Sequence, residues 1–201
     1  MHLLHIDTSS QIQGSHSRNL SKKIVNKIIC DHPDSKVTIR DVGMHVIPHI
    51  SEATIKAFYQ EEATYDEDMA KSSKLSMSLI DEVRQSDVIV LGVPMYNFGV
   101  PSTLKAYIDH IARVNHTFKF TAEGPIGLLK DKKVIVAITR GGSYSHSPQN
   151  HQDPYLKTLF SFLGLDDVTF FVAERLAMPN FAEHALLDVE KAIERLCITH
   201  K

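Results

Sequence analysis

Hydroxyl-bearing residues crowd one short stretch of the chain, Thr8-Ser9-Ser10-Gln11-Ile12-Gln13-Gly14-Ser15-His16-Ser17-Arg18-Asn19. A glycine within it allows a tight bend, and the following Leu20, Ile24, Val25, Ile28 stripe is that of a helix buried on one side. Serine hydroxyls beside the open N–H groups and positive end of a helix make a cradle for phosphate. Three or four hydrogen bonds to a phosphate dianion, about 1.5–3 kcal/mol each, plus about 0.3–2 kcal/mol from the helix dipole, reach roughly the 8 kcal/mol of micromolar binding. No lysine is required. Taken alone, Ser15 or Ser17 could equally be a plain helix cap. The loop has neither G-x-G-x-x-G nor G-x-x-x-x-G-K-[ST], which counts against a Rossmann-bound dinucleotide and against triphosphate hydrolysis and leaves a monophosphate.

Two other segments carry chemistry-bearing residues. Pro94-Met95-Tyr96-Asn97-Phe98-Gly99-Val100-Pro101-Ser102 combines aromatic, amide and glycine residues suited to the wall and floor of a site for a flat heterocycle, although single aromatics are commonly packing residues. Thr139-Arg140-Gly141-Gly142-Ser143-Tyr144-Ser145-His146 contains paired glycines, which permit close backbone approach and also make ordinary turns. The 12 histidines show no H-E-x-x-H or paired Cys/His spacing, so no metal site is expected. Asp7 reads as a structural carboxylate, Glu61 to Asp68 as a solvated helix face, and Cys30 and Cys197 as inert.

The elements that must position these segments alternate along the chain. Strand patterns cover Leu3 to Thr8, Lys36 to Asp41, Asp87 to Val93, Lys133 to Thr139 and Val168 to Ala173, and the most apolar of them are continuous runs, the mark of strands covered on both faces. Helical stripes follow: Leu20, Ile24, Ile28; Leu75, Leu79, Ile80, Val83; Leu104, Ile108, Ile111; Leu156, Leu159, Phe160, Leu163; and Leu186, Val189, Ile193, Leu196. This alternation predicts an α/β fold: a doubly wound five-stranded parallel sheet with helices on both faces, residues 1–201 forming one domain. In such a sheet ligands sit beyond the carboxyl ends of the strands, where strand order reverses, and all three segments fall there. A capping box is expected at Thr64 to Glu67, a helix start at Pro101 and a helix stop at Gly164. Ser51 to Glu82 is a long helical connection, with a break near Thr64, and Thr117 to Pro125 is a hairpin or flap.

Composition narrows the classes. The 201 residues include 22 Lys+Arg against 24 Asp+Glu, a net charge of −2, with no basic run to track nucleic acid. No apolar stretch approaches the length of a membrane span, and Met1 to Asp7 lacks a basic leader pattern. The two cysteines form no C-x-x-C, so a reducing cytoplasm fits best.

At these residues the sequence resembles the FMN-dependent NADH azoreductase and NADH:quinone oxidoreductase family, a branch of the flavodoxin-like fold. Pro94-Met95-Tyr96-Asn97-Phe98 and Arg140-Gly141-Gly142 are similar to its flavin loops, and Ser9-Ser10 with Ser15-His16-Ser17 to its phosphate loop. Thr117-Phe118-Lys119-Phe120-Thr121 followed by Gly124-Pro125 is similar to its T-F-x-[FY]-T-x-x-G-P stretch. The resemblance spans nearly the whole chain. It implies one FMN per subunit, with Ser9, Ser15, Ser17 and the His16 backbone on the phosphate. Met95, Tyr96, Asn97 and Phe98 would then line the isoalloxazine, with Thr139, Arg140, Gly141 and Gly142 on its other side. Phe120 and Phe162 would shape a substrate pocket, partly across a homodimer interface. Ser143-Tyr144-Ser145-His146 departs from relatives with a histidine sooner after the glycine pair, which leaves open the polar side chain that reaches the flavin edge.

The implied chemistry is flavin-centred, without a catalytic side chain: NADH or NADPH reduces FMN, departs, and a quinone or azo compound is reduced in the same space by a ping-pong cycle. An electron-carrier flavodoxin is the alternative, disfavoured by the weak net charge, the absence of tryptophan and the Phe118 flap. A receiver domain lacks its aspartate at Val93-Pro94-Met95, and no G-x-S-x-G marks a hydrolase.

Overall fold

The continuous apolar runs become the centre of a parallel sheet in the computed structural model, which describes residues 1–198; residues 199–201 of the predicted domain lie outside them. Its strands are β1 (His2–Asp7), β2 (Lys36–Asp41), β3 (Val88–Pro94), β6 (Lys133–Thr139) and β7 (Asp167–Ala173), in the order β2-β1-β3-β6-β7. All neighbouring pairs are parallel. Every residue of β3 is buried, whereas the edge strand β2 has none that is fully buried. The chain winds outward from β1 to β2, then returns to β3 and proceeds the other way, so the reversal lies between β1 and β3.

Side-chain alternation divides the core into two layers. Leu4, Ile6, Ile89, Leu91, Val134 and Val136 face one side, where Leu79 and Val83, Leu104 and Ile108, and Leu156 and Phe160 cover them. Those residues belong to α3 (Glu67–Gln85), α4 (Ser102–Ile111) and α5 (Gln152–Leu163). Leu3, Val88, Val90, Ile135 and Ala137 face the other side, covered by α1 (His16–Asp31) and α6 (Pro179–Glu194) through Leu20, Ile24, Ile28, Val189 and Ile193. Helices on both faces of a five-stranded parallel sheet are the predicted architecture.

The long connection divides as expected into α2 (Glu52–Tyr59) and α3, separated by a short 3-10 turn at Glu62–Thr64. Its cap differs from the expected box. Asp66, not Thr64, caps α3 by accepting from the Met69 N–H at 2.8 Å, while Thr64 donates to the Glu61 carbonyl at 2.7 Å. A carboxylate at the positive helix end outcompetes a hydroxyl two residues earlier. Pro101 precedes α4, which starts at Ser102.

The flap is an antiparallel hairpin of β4 (Phe118–Thr121) and β5 (Gly124–Gly127), in which Thr121 pairs with Gly124. It leans on the end of α5, which stops at Gly164 as predicted, with φ +87° and the Leu165 N–H returning to the Phe160 carbonyl. A Cβ on Gly164 would lie 2.9 Å from the Gly127 carbonyl carbon. Backbone conformation and contact therefore both demand glycine. Gly164→Ala is expected to lose about 1–3 kcal/mol of stability, measured as a lower urea midpoint with an unchanged slope.

Candidate functional site

Three loops meet where the strand order reverses. The first leaves β1 beside β3: the Thr8 hydroxyl donates to the Gly92 carbonyl at 2.8 Å, and Asp7 pairs with Gly92 in the sheet. A Cβ on Gly92 would lie 2.8 Å from the Ser17 carbonyl oxygen and 2.9 Å from the Ser21 hydroxyl, so this glycine lets the start of α1 settle on β3. Ser15 caps α1, its hydroxyl accepting from the Arg18 N–H at 3.5 Å. That bond is long, and the Ser15 and Ser17 hydroxyls lie 3.2 Å apart, both buried. Ser15 is thus a cap, and its hydroxyl converges with a second one beside helix N–H groups that have no partner inside the helix. Ser9 is also buried, and its hydroxyl lies 3.3 Å from that of Tyr96, joining the first loop to the second.

The second loop follows β3. The Met95 N–H donates to the Thr139 carbonyl at 2.8 Å, and Tyr96 and Gly99 exchange backbone bonds of 3.1 and 3.0 Å. The turn between them places Asn97 at φ +48° and Phe98 at φ +69°. Asparagine accepts the left-handed region readily, but for a bulky side chain it is strained. In this turn Phe98 is 46% exposed and Tyr96 37%. Sequence reasoning placed these residues at the site without foreseeing the turn, because Asn-Phe lacks the glycine that usually announces one.

The third loop begins at buried Thr139 and Arg140. Arg140 does not point at the crevice. Its Nε donates to Gln152 at 3.2 Å, Nη1 to Glu174 at 3.0 Å and Nη2 to Asp153, all away from solvent. Its backbone is committed as well, the N–H donating to the Ala173 carbonyl at 2.9 Å and the carbonyl accepting from the Leu176 N–H at 3.1 Å. Gly141 and Gly142 act by close approach, since neither has a positive φ: a Cβ on Gly142 would lie 2.8 Å from the Tyr144 ring. Tyr144 in turn meets Phe98 edge to face, with centroids 5.8 Å apart. Tyr144 thereby links the second and third loops.

Glu174 was not anticipated. Burial disfavours its ionisation, but bonds from the Tyr144 N–H at 2.7 Å, Arg140 and the Ser145 N–H at 2.8 Å outweigh this and hold the carboxyl below its ordinary 4.5. The available signal was its place directly after the fifth strand. On the flap, Phe120 is 69% exposed, and both it and half-buried Phe162 contact Phe118, at 5.5 and 4.5 Å between centroids. Phe118 is the shared support for the two residues expected to form a pocket.

The flavodoxin-like fold family model matches residues 1–196. An FMN-dependent NADH:quinone oxidoreductase of Nostoc punctiforme is 40% identical, covering 96% of this chain and 97% of its own. Its counterpart in Ralstonia nicotianae is 45% identical over 96% of this chain and 94% of its own. The chain belongs to this flavodoxin-like family. Among solved structures, an azoreductase of Bacillus anthracis Sterne superposes with a TM-score of 0.87 at 25% identity, covering 98% of this chain and 100% of that one. An FMN-dependent NADH-azoreductase of the Ames Ancestor strain, solved with FMN, shares the fold with a TM-score of 0.84 at 23% identity, covering 97% of this chain and 99% of that one.

Within this family fold the donor set suits a phosphate with a flat, partly apolar head. Neutral hydroxyls and helix N–H groups gather at the end of β1, and Tyr96, Phe98 and Tyr144 gather at the ends of β3 and β6. Glu174 fastens the aromatic side, and the sign of its contribution follows from its lowered pKa. The stabilisation is complete above 4.5 and disappears as pH falls through the lower folded value. Glu174→Gln is expected to lower the melting temperature at pH 7 and to flatten its decline between about pH 5 and pH 3. Parallel decline in both proteins would show that Glu174 does not carry the acid sensitivity.

Proposed function

We propose that the chain is an FMN-dependent oxidoreductase that uses NAD(P)H, preferentially NADH, to reduce quinones and to cleave aromatic azo compounds in a ping-pong cycle. The observation that carries this reading is the buried Ser15 and Ser17 hydroxyl pair at the start of α1, set at the strand reversal opposite an aromatic loop. Relatives 40–45% identical over nearly the full chain bear the corresponding name.

In this reading Ser9, Ser15, Ser17 and the His16 N–H hold the FMN phosphate. Met95, Tyr96, Asn97 and Phe98 line the ring system, and the Thr139, Arg140, Gly141 and Gly142 backbone closes its other side. Held there, FMN would supply the two-electron redox chemistry between the nicotinamide and the quinone or azo acceptor. The chain positions: its fixed N–H groups stabilise negative charge without rearranging, and its aromatic side chains exclude water from the stacking space.

Phe120 and Phe162 bound the acceptor side. Tyr59, at 74% exposed, Ile55, at 49%, and Phe120 leave apolar surface uncovered, which supports a homodimer in which a second copy completes the pocket. Among the described residues no helix is long and apolar enough to cross a membrane. Two exposed free cysteines support a reducing cytoplasm as the working location.

The decisive experiment is an absorbance spectrum of the chain loaded with FMN, followed anaerobically by NADH and then benzoquinone. Bleaching and recovery are expected. Flavin that binds but is reduced by neither nicotinamide would favour an electron carrier. A second expectation concerns Ser15→Ala with Ser17→Ala: the pair of changes weakens FMN by at least about 30-fold, some 2 kcal/mol, and leaves riboflavin within a few-fold. Equal losses would remove the phosphate from this loop.

A further inference from the structure

Arg18 is the one cationic side chain in the loop from Thr8 to Asn19, and as such the obvious residue to grip an anion directly. Its donors are already committed. Nη1 donates to Asp41 Oδ2 at 2.5 Å and lies 3.5 Å from Asp7 Oδ2. Nη2 donates to Asp41 Oδ1 at 2.8 Å and to the Ser9 carbonyl at 2.6 Å. Nε is shared between the Gln11 carbonyl at 3.1 Å and the Ser9 carbonyl at 3.3 Å. A guanidinium has five N–H groups; hydrogen bonds take four of them, and Nη1 also lies within ion-pair distance of Asp7.

The carbonyls it takes are those that would do most harm if they faced an anion. Ser9 and Gln11 belong to the same loop as the hydroxyls at Ser9 and Ser15, and a carbonyl oxygen turned toward a phosphate would repel it. Bonded to Arg18, both carbonyls are occupied. The fork is itself held: Asp41 ends β2 and also accepts the Met44 N–H at 3.0 Å. Asp7 ends β1 and accepts from the Ser21 hydroxyl at 2.9 Å, with His5 Nε2 3.4 Å away. Gly43 closes the set, for a Cβ there would stand 2.2 Å from the Ser9 carbonyl oxygen and 2.7 Å from Arg18 Nη2.

We propose that Arg18 is a positioning residue for the phosphate end of FMN. It acts through the backbone of Ser9 and Gln11, holding their carbonyls so that hydroxyl and N–H donors alone are presented to the anion. This rests on the reading that Ser9, Ser15 and Ser17 form the phosphate loop. Its charge is balanced locally by Asp7 and Asp41, so the requirement is for the planar fork and not for a cation. Lysine preserves the charge but cannot reproduce two parallel bonds to Asp41 together with bonds to two carbonyls.

The test compares FMN with riboflavin, identical except for the phosphate, by flavin fluorescence on the full chain. Arg18→Lys is expected to weaken FMN at least tenfold and to change riboflavin by less than about threefold. Gly43→Ala retains both Arg18 and Asp41 but drives a methyl group against the Ser9 carbonyl and Arg18 Nη2, and it should show the same selectivity. This second variant keeps the question answerable if Arg18→Lys folds poorly. Wild-type FMN affinity in Arg18→Lys, or equal loss of both flavins in the two variants, overturns the proposal. If the Ser15/Ser17 double variant discriminates between the flavins while these two do not, the phosphate loop stands and the role of Arg18 falls. If the double variant fails to discriminate, the loop reading fails and takes this inference with it.

Discussion

A guanidinium sealed from water governs the carboxyl edge of the sheet. The Arg140 side chain has no exposed surface, and burying such a charge costs several kcal/mol unless good acceptors surround it. Its acceptors come from separate places: Gln152 and Asp153 from the first turn of α5, and Glu174 from just beyond β7. The Gln152 amide then donates to the Val93 and Pro94 carbonyls at 3.3 and 3.2 Å, reaching the end of β3. Glu174 reaches forward to the Tyr144 and Ser145 N–H groups. One buried cation thus ties three strand ends, a helix start and a loop into a unit whose members depend on one another.

Rigidity of this kind permits strain next door. A left-handed Phe98 costs about 1–3 kcal/mol and persists only where its surroundings over-determine it. The Tyr96–Gly99 bridge fixes the turn from below, and Tyr144, seated on Gly142 and anchored through Glu174, meets the Phe98 ring from the side. The loop is therefore built before any ligand arrives. Aromatic surface presented in advance spares the ligand the entropy of ordering it.

Much of this was legible in the sequence because period and composition determine it directly. Continuous apolar runs gave strands buried on both faces, and helical stripes gave the covering layers. The hydroxyl-rich loop fell at the strand reversal once the sheet was assumed. The Thr117 to Pro125 alternation gave the hairpin. What escaped was direction and competition. Arg140 sits beside a glycine pair in a loop, and nothing local tells whether its side chain faces the crevice or the interior; the answer lies in Asp153 and Glu174, both distant along the chain. The cap of α3 went to Asp66 over Thr64 because two acceptors competed for one helix end. Glu174 stood after the fifth strand, at a position as well placed as the other three loops, but a lone carboxylate there carries no pattern.

The two arginines at the site, Arg140 buried and Arg18 partly buried, share a design that suits sequential use of one space. Arg18 and Arg140 each meet two carboxylates, so neither leaves surplus positive charge at the crevice. The permanent ligand would then be held by neutral dipoles whose strength depends on short range and correct angle, a demand that a built-in phosphate satisfies and a passing one does not. A nicotinamide dinucleotide also carries phosphates. A free cation at the loop would hold it by long-range attraction before and after it had reacted, slowing its departure and the entry of the second substrate. Charges neutralised within the fold remove that attraction while keeping the hydrogen-bond geometry that the arginines impose.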